Sequence, residues 1–231
     1  MNDIVYLLKT GPNEELRYSL RSVEKNFKAG KVIFAGGKPQ DINPDIFIEV
    51  AQTGPTKWAN TRRNLLMAVQ DSRITEDFWL FNDDFFIMAD YDCTQAEYDG
   101  YILEHIEEIK RRHNGKASAY TKLLAALVKT LQNAGIKNPK NYAIHRPMLI
   151  NKKKALETLE RFPSEPMFRA LYGNINQIGG HQVKDCKFAP WLRPETDGAT
   201  VISTEDQVFA AGDIGNYIRA TFTEPSRWEK I

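Results

Sequence analysis

The sequence predicts an α/β fold built on a parallel sheet, and features of its first fifty residues carry that prediction. Apolar runs rich in strand-forming residues occupy positions 3–8, 31–35 and 46–50. Between the first two runs, apolar residues recur every three or four positions, which is typical of an amphipathic helix. Strand, helix and strand in this order, joined by short loops, are typical of neighbouring parallel strands covered by a helix.

The first predicted helix follows a break at Lys9–Asn13, where glycine and proline interrupt the strand. Asn13 can cap the helix, and Glu14 and Glu15 fall in its first turn, where the helix dipole favours anions. The apolar stripe of this helix consists of Leu16, Leu20, Val23 and Phe27. We therefore expect the helix to pack on the sheet through one face.

The rest of the chain continues this alternation and then becomes mostly helical. A strongly apolar strand is predicted over 78–81, and helices are predicted over 58–71, 97–113, 117–134 and 151–162. Asn151 is the expected cap of the last of these helices. We interpret the chain as a single domain, residues 1–231, with a helical insertion at 94–141.

Composition and missing motifs exclude several classes of protein. The 231 residues include 31 Lys and Arg against 30 Asp and Glu, so bulk charge does not predict a nucleic-acid coat. Two cysteines are too few for a disulfide framework. The sequence has no signal-peptide pattern and no apolar run near the ~18 residues of a membrane span. We therefore expect a cytoplasmic protein without a membrane-spanning helix. Walker, GxGxxG, GxSxG, HExxH and CxxC motifs are absent from the sequence, which argues against the common enzymes that carry them.

The strongest chemical signal is Asn82-Asp83-Asp84, which separates the apolar runs FWLF and FFIM. Two adjacent carboxylates are costly to bury unless a cation or hydrogen-bond donors satisfy them. Mg²⁺ and Mn²⁺ bind through one or two carboxylates plus substrate phosphates. The alternative is a simple turn that ends a strand, because Asn and Asp are common turn residues.

Scattered cations could meet an anionic ligand. Arg17 and Arg21 lie four residues apart on the first helix, and Lys57, Arg62 and Arg63 follow a Gly-Pro loop. Arginine can grip a phosphate with two hydrogen bonds. For each of these side chains, a solvated helix face is the alternative.

Two further residues could take part in proton transfer. His145 lies in an apolar setting and could act as a general base toward an acceptor hydroxyl, or could be a core histidine with satisfied hydrogen bonds. Asp206 could act as a carboxylate base, although the sequence favours a helix cap at this position.

Several blocks of the sequence occur in an order known from one protein family. Residues 3–6 read DIVY, the block 13–24 contains ELRYSLRS, and 78–84 end in NDD. Residues 142–163 contain an H-x-P segment and a helix ending in Phe-Pro, and Phe168-Arg169 follows. In these blocks the chain resembles the Stealth family, which includes bacterial capsular polysaccharide phosphotransferases and the eukaryotic N-acetylglucosamine-1-phosphotransferase. It is shorter than the family pattern after Phe27 and looks like a compact, divergent member.

The resemblance implies a glycosyltransferase-A-like sheet that binds a nucleotide-sugar donor with Mn²⁺ or Mg²⁺. It places Asn82, Asp83 and Asp84 at the metal–diphosphate site, with the two aspartates as metal ligands. It also implies His145 as the base and, as a weaker match, Asp206 as a late acidic residue.

Donor-binding residues follow from the resemblance and from the predicted sheet. The resemblance implies that Arg17, Arg21 and Arg169 hold the donor phosphates. Because the carboxyl ends of parallel strands meet at one edge, we expect Lys9 and Thr10 there as well, beside Gly36, Gly37 and the Asn82–Asp84 segment. Lys57 and Arg62 complete the expected donor-binding set.

The expected activity is therefore a metal-dependent transfer from a nucleotide-sugar to an acceptor hydroxyl. A glycan, a small molecule and a hydroxymethylated DNA base all remain open as acceptors. One alternative is transfer of a sugar-1-phosphate, as in the Stealth enzymes. Another is a non-catalytic module that binds a nucleotide or a sugar.

Overall fold

The computed structural model describes residues 1–91 and 95–230. The strands are β1 (Asp3–Leu8), β2 (Val32–Gly36), β3 (Ile46–Glu49), β4 (Asp77–Phe81), β5 (Phe85–Ile87), β6 (Glu97–Tyr98), β7 (Met148–Asn151), β8 (His181–Gln182), β9 (Lys187–Phe188) and β10 (Val201–Thr204). The helices are α1 (Glu14–Asn26), α2 (Lys57–Gln70), α3 (Ile102–Arg112), α4 (Ala119–Asn133), α5 (Lys152–Arg161), α6 (Phe168–Ile175), α7 (Asp206–Ala211) and α8 (Asp213–Thr221). The α/β class predicted from the sequence is confirmed.

The largest sheet has five strands in the order β3-β2-β1-β4-β7. Its first four strands are parallel, as predicted, whereas β7 pairs antiparallel with β4. The sheet is therefore mixed. In register, Leu8 pairs with Gly36 and Tyr6 pairs with Phe81, so β1, β2 and β4 end at the same edge.

A second sheet begins directly after β4. It has the order β5-β10-β9, with β10 antiparallel to β5 and parallel to β9. The apolar run FFIM therefore does not continue β4, because the chain turns at Asn82–Asp84 and enters another sheet. A two-stranded sheet, β6-β8, is separate from both.

One predicted helix start is wrong. Residues 97–98 form strand β6, which pairs with β8, and helix α3 begins only at Ile102. This error arises because strand pairing with distant residues outweighs a local helical pattern. Asn151 is the last residue of β7, where it pairs in register with Asp77, and α5 begins at the next residue, as a cap at Asn151 requires. The capping contact itself stays a prediction.

The chain divides into two compact units. The first comprises Met1–Cys93, His145–Lys152 and Asp185–Ile231, and the second comprises Thr94–Ile144 and Lys153–Lys184. The second unit thus begins where the helical insertion is predicted and includes a further stretch beyond it.

Each unit has its own hydrophobic core. In the first, the large fully buried side chains of β1, β2 and β4 pack against α1, and a second cluster lies under α7 and α8. In the second, α3, α4 and α6 pack together. None of the helices in the described part of the chain is long and apolar enough to cross a membrane.

Candidate active site

The residue that precedes α1 contacts the segment that follows β4 at the carboxyl edge of the large sheet. Asn13 caps α1, and its side-chain oxygen accepts a hydrogen bond from the Leu16 backbone N–H at 2.9 Å. The amide nitrogen of the same side chain donates to Asp83 Oδ2. A single asparagine thus ties the predicted helix start to the predicted acidic segment.

Asp84 is the most constrained carboxylate of this edge, with only 8% of the residue exposed. Its Oδ2 accepts hydrogen bonds from Lys187 Nζ and, at 2.9 Å, from Ser203 Oγ. Its Oδ1 is buried and has no hydrogen-bond partner among the described residues. A buried carboxylate oxygen without a partner is costly, so this atom marks a place where a donor or cation would bind favourably.

The carboxylates of Glu15 and Asp83 lie close enough to Asp84 to interact with it electrostatically. We call Glu15, Asp83 and Asp84 the acidic cluster. Burial raises the pKa of Glu15 to about 7, and the Asp84 and Asp83 charges add to this effect. Burial and then the Asp84 charge raise the pKa of Asp83. The Thr204 hydroxyl donates to Glu15 Oε1 at 2.7 Å and opposes the shift at that residue. Mutual repulsion among these groups is the physical signature of a site that favours a cation.

Lys187 supplies the nearest positive charge. Its ammonium also donates to the Thr204 backbone oxygen at 2.6 Å, and its side chain is 17% exposed. Burial acts to lower the pKa of Lys187, but the Asp84 carboxylate, together with the charges of Glu15 and Glu205, outweighs burial, and the net pKa is raised. Lys187 is therefore a charged counter-ion of Asp84.

The acidic cluster fits a divalent cation only when other ligands join it. Across residues 1–91 and 95–230, no group of three or more His, Cys, Asp and Glu side chains is arranged to hold a metal ion by itself. However, Asp83 and Asp84 offer hard carboxylate oxygens, and Oδ1 of Asp84 lacks a partner. Mg²⁺ and Mn²⁺ commonly take one or two protein carboxylates and complete their shell with substrate phosphates and water.

His145 forms a pair with Asp185. The His145 backbone N–H donates to Asp185 Oδ1 at 3.0 Å, and Nδ1 lies 2.8 Å from Asp185 Oδ2. Burial acts to raise the pKa of Asp185, but the charge and hydrogen bonds of His145 outweigh it and lower that pKa to about 2. The His145 side chain is 32% exposed, and none of the described residues bonds to its Nε2. With Nδ1 held by a carboxylate, Nε2 is the nitrogen that can exchange a proton with a ligand.

The histidine pair lies beside the acidic cluster. Asp185, Cys186 and Lys187 are consecutive, so the Cα atoms of Asp185 and Lys187 are at most about 7 Å apart. Cys186 Sγ donates to the His145 backbone oxygen at 3.0 Å. Burial raises the pKa of the Cys186 thiol, and the Asp185 and Asp84 carboxylates both act in the same direction. Both carboxylates therefore lie close enough to the same thiol to interact with it electrostatically.

The arginines of α1 are bound elsewhere. Arg21 makes two 2.8 Å hydrogen bonds to the Glu229 carboxylate and also donates to the Phe222 backbone oxygen. Arg17 pairs with Asp41 and lies 3.6 Å from Glu229. At about 100° per residue, these arginines lie far around the helix from Glu15. The structure does not bring them to the acidic cluster, and their contact with phosphates stays a prediction.

The remaining predicted donor residues occupy different positions. Thr10 lies against Gly37, where an added Cβ would come within 2.6 Å of the Thr10 Cα. Lys57 begins α2 with its ammonium 5.2 Å from the Trp58 ring centroid, and burial lowers the pKa of Arg62. Arg169 lies on α6, in the second unit. Their binding roles also stay predictions.

Asp206 does not cap a helix. Glu205 is the N-cap of α7, and Asp206 is the first helical residue. Its side chain is 84% exposed and lies 3.6 Å from Lys9 Nζ, which follows β1. Asp206 is not the cap because α7 begins one residue earlier than the cap interpretation requires. Its contact with Lys9 is an ion pair at the surface, where such pairs contribute little to stability.

Six contributors to the site did not emerge from the sequence as functional residues: Asn13 and Glu15, which the sequence marks only as a helix cap and a first-turn residue, and Asp185, Lys187, Ser203 and Thr204. The last two end a buried strand, as Asn82–Asp84 do, and this placement could have drawn attention to them. Asp185 and Lys187 lie in a stretch with little periodicity, and their partners are 40 and 103 residues away. No local signal marks them.

A cavity of about 600 Å³ lies in the first unit between α7, α8 and the segment that follows β9. Its lining combines apolar and polar side chains: Phe188, Pro190, Val208, Ile214, Tyr217, Arg193, Thr196, Gln207 and Asp213. Tyr217 is 48% exposed. The side chains of Arg193, Thr196 and Asp213 make no hydrogen bond to another described residue. The cavity size is typical of small-molecule sites.

No protein-family model matches the chain, and no curated protein matches it significantly.

Proposed function

We propose that this protein is a metal-dependent transferase that moves a group from a nucleotide-sugar donor to an acceptor hydroxyl. The observation that carries the proposal is Asp84 Oδ1, a buried carboxylate oxygen without a described partner, at the carboxyl edge of parallel strands. Open α/β sheets bind their ligands at this edge. The sequence resemblance to the Stealth family supports the same donor class.

In this proposal Asp83 and Asp84 hold Mn²⁺ or Mg²⁺ together with oxygens of the donor diphosphate. The cation supplies stabilisation of the negative charge that develops on the leaving diphosphate. Ser203 fixes one side of the Asp84 carboxylate, and Asn13 fixes Asp83. These hydrogen bonds hold both carboxylates in place before a ligand arrives, which reduces the reorganisation needed on binding.

His145 acts as the general base. Its Nε2 takes the proton of the acceptor hydroxyl while the hydroxyl oxygen bonds to the anomeric carbon of the donor sugar. The bond from that carbon to the diphosphate oxygen breaks, and the nucleoside diphosphate leaves with the electron pair. Asp185, hydrogen-bonded to Nδ1, orients the ring and stabilises the imidazolium that forms.

The cavity beside α7 and α8 supports a glycan acceptor over a DNA base. Its polar lining contains one cation, one carboxylate, an amide and hydroxyls. Sugar hydroxyls both donate and accept hydrogen bonds, and an exposed tyrosine can pack against a sugar face. A nucleic-acid site would instead require an excess of positive charge to meet the phosphates.

Transfer of a sugar-1-phosphate is the second candidate, and the ELRYSLRS block that resembles the Stealth family favours it. In that reaction the hydroxyl oxygen attacks the phosphorus next to the sugar, and the nucleoside monophosphate leaves. The acidic cluster and the His145–Asp185 pair serve either reaction.

The mass of the product tests the function and separates these reactions. The protein is incubated with UDP-, GDP- and CDP-sugars, Mn²⁺ and a mixture of oligosaccharides, and products are read by mass spectrometry. We expect a gain of one sugar, whereas a gain of one sugar phosphate identifies the second candidate. Asp84→Ala should abolish the product and Mn²⁺-dependent donor binding. Because it also leaves the mostly buried Lys187 ammonium without its carboxylate, it should lower the melting temperature, so turnover is compared per folded molecule and Asp84→Asn, which keeps the size of the side chain, is measured beside it.

The control is Glu107→Ala, which removes an exposed carboxylate in the second unit. It should leave product formation unchanged. A protein that binds the donor but neither hydrolyses nor transfers it is a binding module and not an enzyme. Normal turnover by Asp84→Ala would refute the metal assignment.

A further inference from the structure

Lys187 is bound to the same carboxylate that the proposed function assigns to a metal ion. Its ammonium shares Asp84 Oδ2 with the Ser203 hydroxyl, while Oδ1 of the same carboxylate lacks a described partner. The side chain is mostly buried, so its charge is poorly screened by solvent. The carboxylate expected to bind a cation therefore already carries an internal one.

This arrangement opposes the binding of a metal ion alone. A divalent cation at Asp84 would face the Lys187 ammonium on the same carboxylate, and the two positive charges repel each other. Glu15 and Asp83 attract both cations and therefore do not remove the competition. Metal binding becomes favourable once the ammonium has another anionic partner.

The donor diphosphate provides such a partner. Lysine carries its charge on a flexible four-carbon stem and can move its ammonium by several ångströms without a change in the backbone. A diphosphate at the Asp83–Asp84 edge would offer anionic oxygens within that range. Lys187 can then leave Asp84 Oδ2 for a phosphate oxygen, which removes the repulsion that opposes a metal ion at the Asp84 carboxylate.

We propose that Lys187 couples metal binding to diphosphate binding: it keeps Mn²⁺ or Mg²⁺ weakly bound until a nucleoside diphosphate arrives, and then binds that diphosphate. This inference rests on the proposed function. It assigns Lys187 as a donor-binding residue that also sets the order in which the ligands bind. A purely structural Lys187–Asp84 ion pair would stabilise the fold without linking the two ligands.

Calorimetric titration tests the coupling in the full chain. Mn²⁺ is titrated into the protein without and with saturating UDP, for wild type, Lys187→Gln, Lys187→Arg and Lys184→Met. Glutamine keeps a hydrogen-bond donor but removes the charge, and arginine keeps the charge. Lys184, with its side chain 87% exposed in the second unit, is the control.

The wild type should bind Mn²⁺ about tenfold or more tightly when UDP is present, as should Lys184→Met. Lys187→Gln should bind Mn²⁺ alone about tenfold more tightly than the wild type does, and UDP should add little. Lys187→Arg should restore the coupling. Melting temperatures, measured with and without Mn²⁺, verify folding and give an independent readout, because Mn²⁺ alone should stabilise Lys187→Gln more than the wild type.

Two failures are distinguishable. If the wild type couples Mn²⁺ and UDP but Lys187→Gln shows the same affinities and coupling, the role of Lys187 is refuted and the proposed function stands. If neither the wild type nor any folded variant binds Mn²⁺ with UDP, the proposed metal-dependent function fails, and the inference fails with it. If Lys187→Gln does not fold, Lys187→Met takes its place in the same titrations, because it also removes the charge, and is compared with Lys187→Arg.

Discussion

At the scale of single residues, His145 is held in one orientation by two hydrogen bonds to a single carboxylate. Both the backbone N–H and Nδ1 meet Asp185, so the ring cannot turn without breaking a bond to a buried acid. This geometry distinguishes His145 from a core histidine, since Nε2 is left without a described partner and the side chain is partly exposed.

The role of His145 predicts a specific kinetic result. His145→Ala should lower turnover by roughly 10²–10⁴-fold, which is the usual contribution of general acid–base catalysis. Binding of UDP with Mn²⁺ should barely change, because in the proposal the diphosphate is bound by Lys187 and by the metal ion that Asp83 and Asp84 would hold, and not by His145.

Asp185→Asn provides the matched control for orientation. It keeps the size of the side chain but removes the charge that stabilises the imidazolium, so it should lower turnover and alter the pH profile with donor affinity preserved. Turnover and melting temperature are measured together. If His145→Ala loses stability but keeps its turnover per folded molecule, His145 is a structural histidine.

The sequence identifies residues of the site only where local pattern marks them. Asn82–Asp84 stand out because polar residues interrupt an apolar run, and Asn13 stands out as a helix cap. Lys187 has no such mark, because its importance arises from Asp84, which is 103 residues away. Likewise, Arg17 and Arg21 look like phosphate ligands until Asp41 and Glu229 are seen to bind them.

At the scale of elements, periodicity predicts β1, α1 and β2 to within one residue of their observed limits. These elements are local, and each has a clear start or stop signal. The antiparallel strand β7, the second sheet and the late start of α3 depend on pairing with distant strands. A single sequence does not contain that information in a local pattern.

Gly36 gives a prediction at this scale, because it joins the ends of two parallel strands at the site edge. It has φ of 118°, and an added Cβ would lie 2.1 Å from the Leu8 backbone oxygen and 2.4 Å from the Asn64 amide nitrogen. The missing Cβ of Gly36 thus allows the backbone of β1 and the Asn64 side chain to approach closely. Gly36→Ala should destabilise the protein by roughly 3 kcal/mol or more, since backbone strain and a backbone clash add together.

Gly11→Ala is the matched control. Gly11 has a similar φ of 121°, but nothing lies within 4 Å of its added Cβ, so this variant carries the strain without the clash. Denaturant unfolding should show a clearly larger loss for Gly36→Ala than for Gly11→Ala. Equal losses would mean that the strand ends are less tightly packed than the structure indicates.

At the scale of the whole molecule, stability should depend on pH through the acidic cluster. The pKa of Glu15 rises from its ordinary value of 4.5 to about 7 in the folded protein, so the folded state holds this proton more tightly than the unfolded state. The resulting stabilisation is complete below pH 4.5 and is lost as the pH rises through 7. Its upper limit is about 3 kcal/mol, and the raised pKa of Asp83 acts in the same direction.

Melting curves in metal-free buffer at pH 5 and pH 7.5 measure this effect. The stability of Glu15→Gln relative to wild type should increase from pH 5 to pH 7.5, because glutamine never becomes charged. Glu107→Gln, which alters an exposed carboxylate, should follow the wild type at both pH values. If Glu15→Gln also follows the wild type, burial and the neighbouring carboxylates raise the pKa of Glu15 less than the structure indicates.

Residues 228 and 229 of the first unit bind residues near its start, and this affects the order in which contacts can form during synthesis. Arg21 is bound by Glu229, which is 208 residues later, and Trp228 is buried with its indole nitrogen bonded to Asp45. On a ribosome that adds about 5–20 residues per second, α1 emerges many seconds before these partners do. All of the second unit, by contrast, has been made by residue 184. Arg17 can pair early with Asp41, but Arg21 lacks its carboxylate partner until Glu229 has been made. A ribosome stalled after residue 220 would therefore hold a first unit without the Arg21–Glu229 and Trp228–Asp45 contacts.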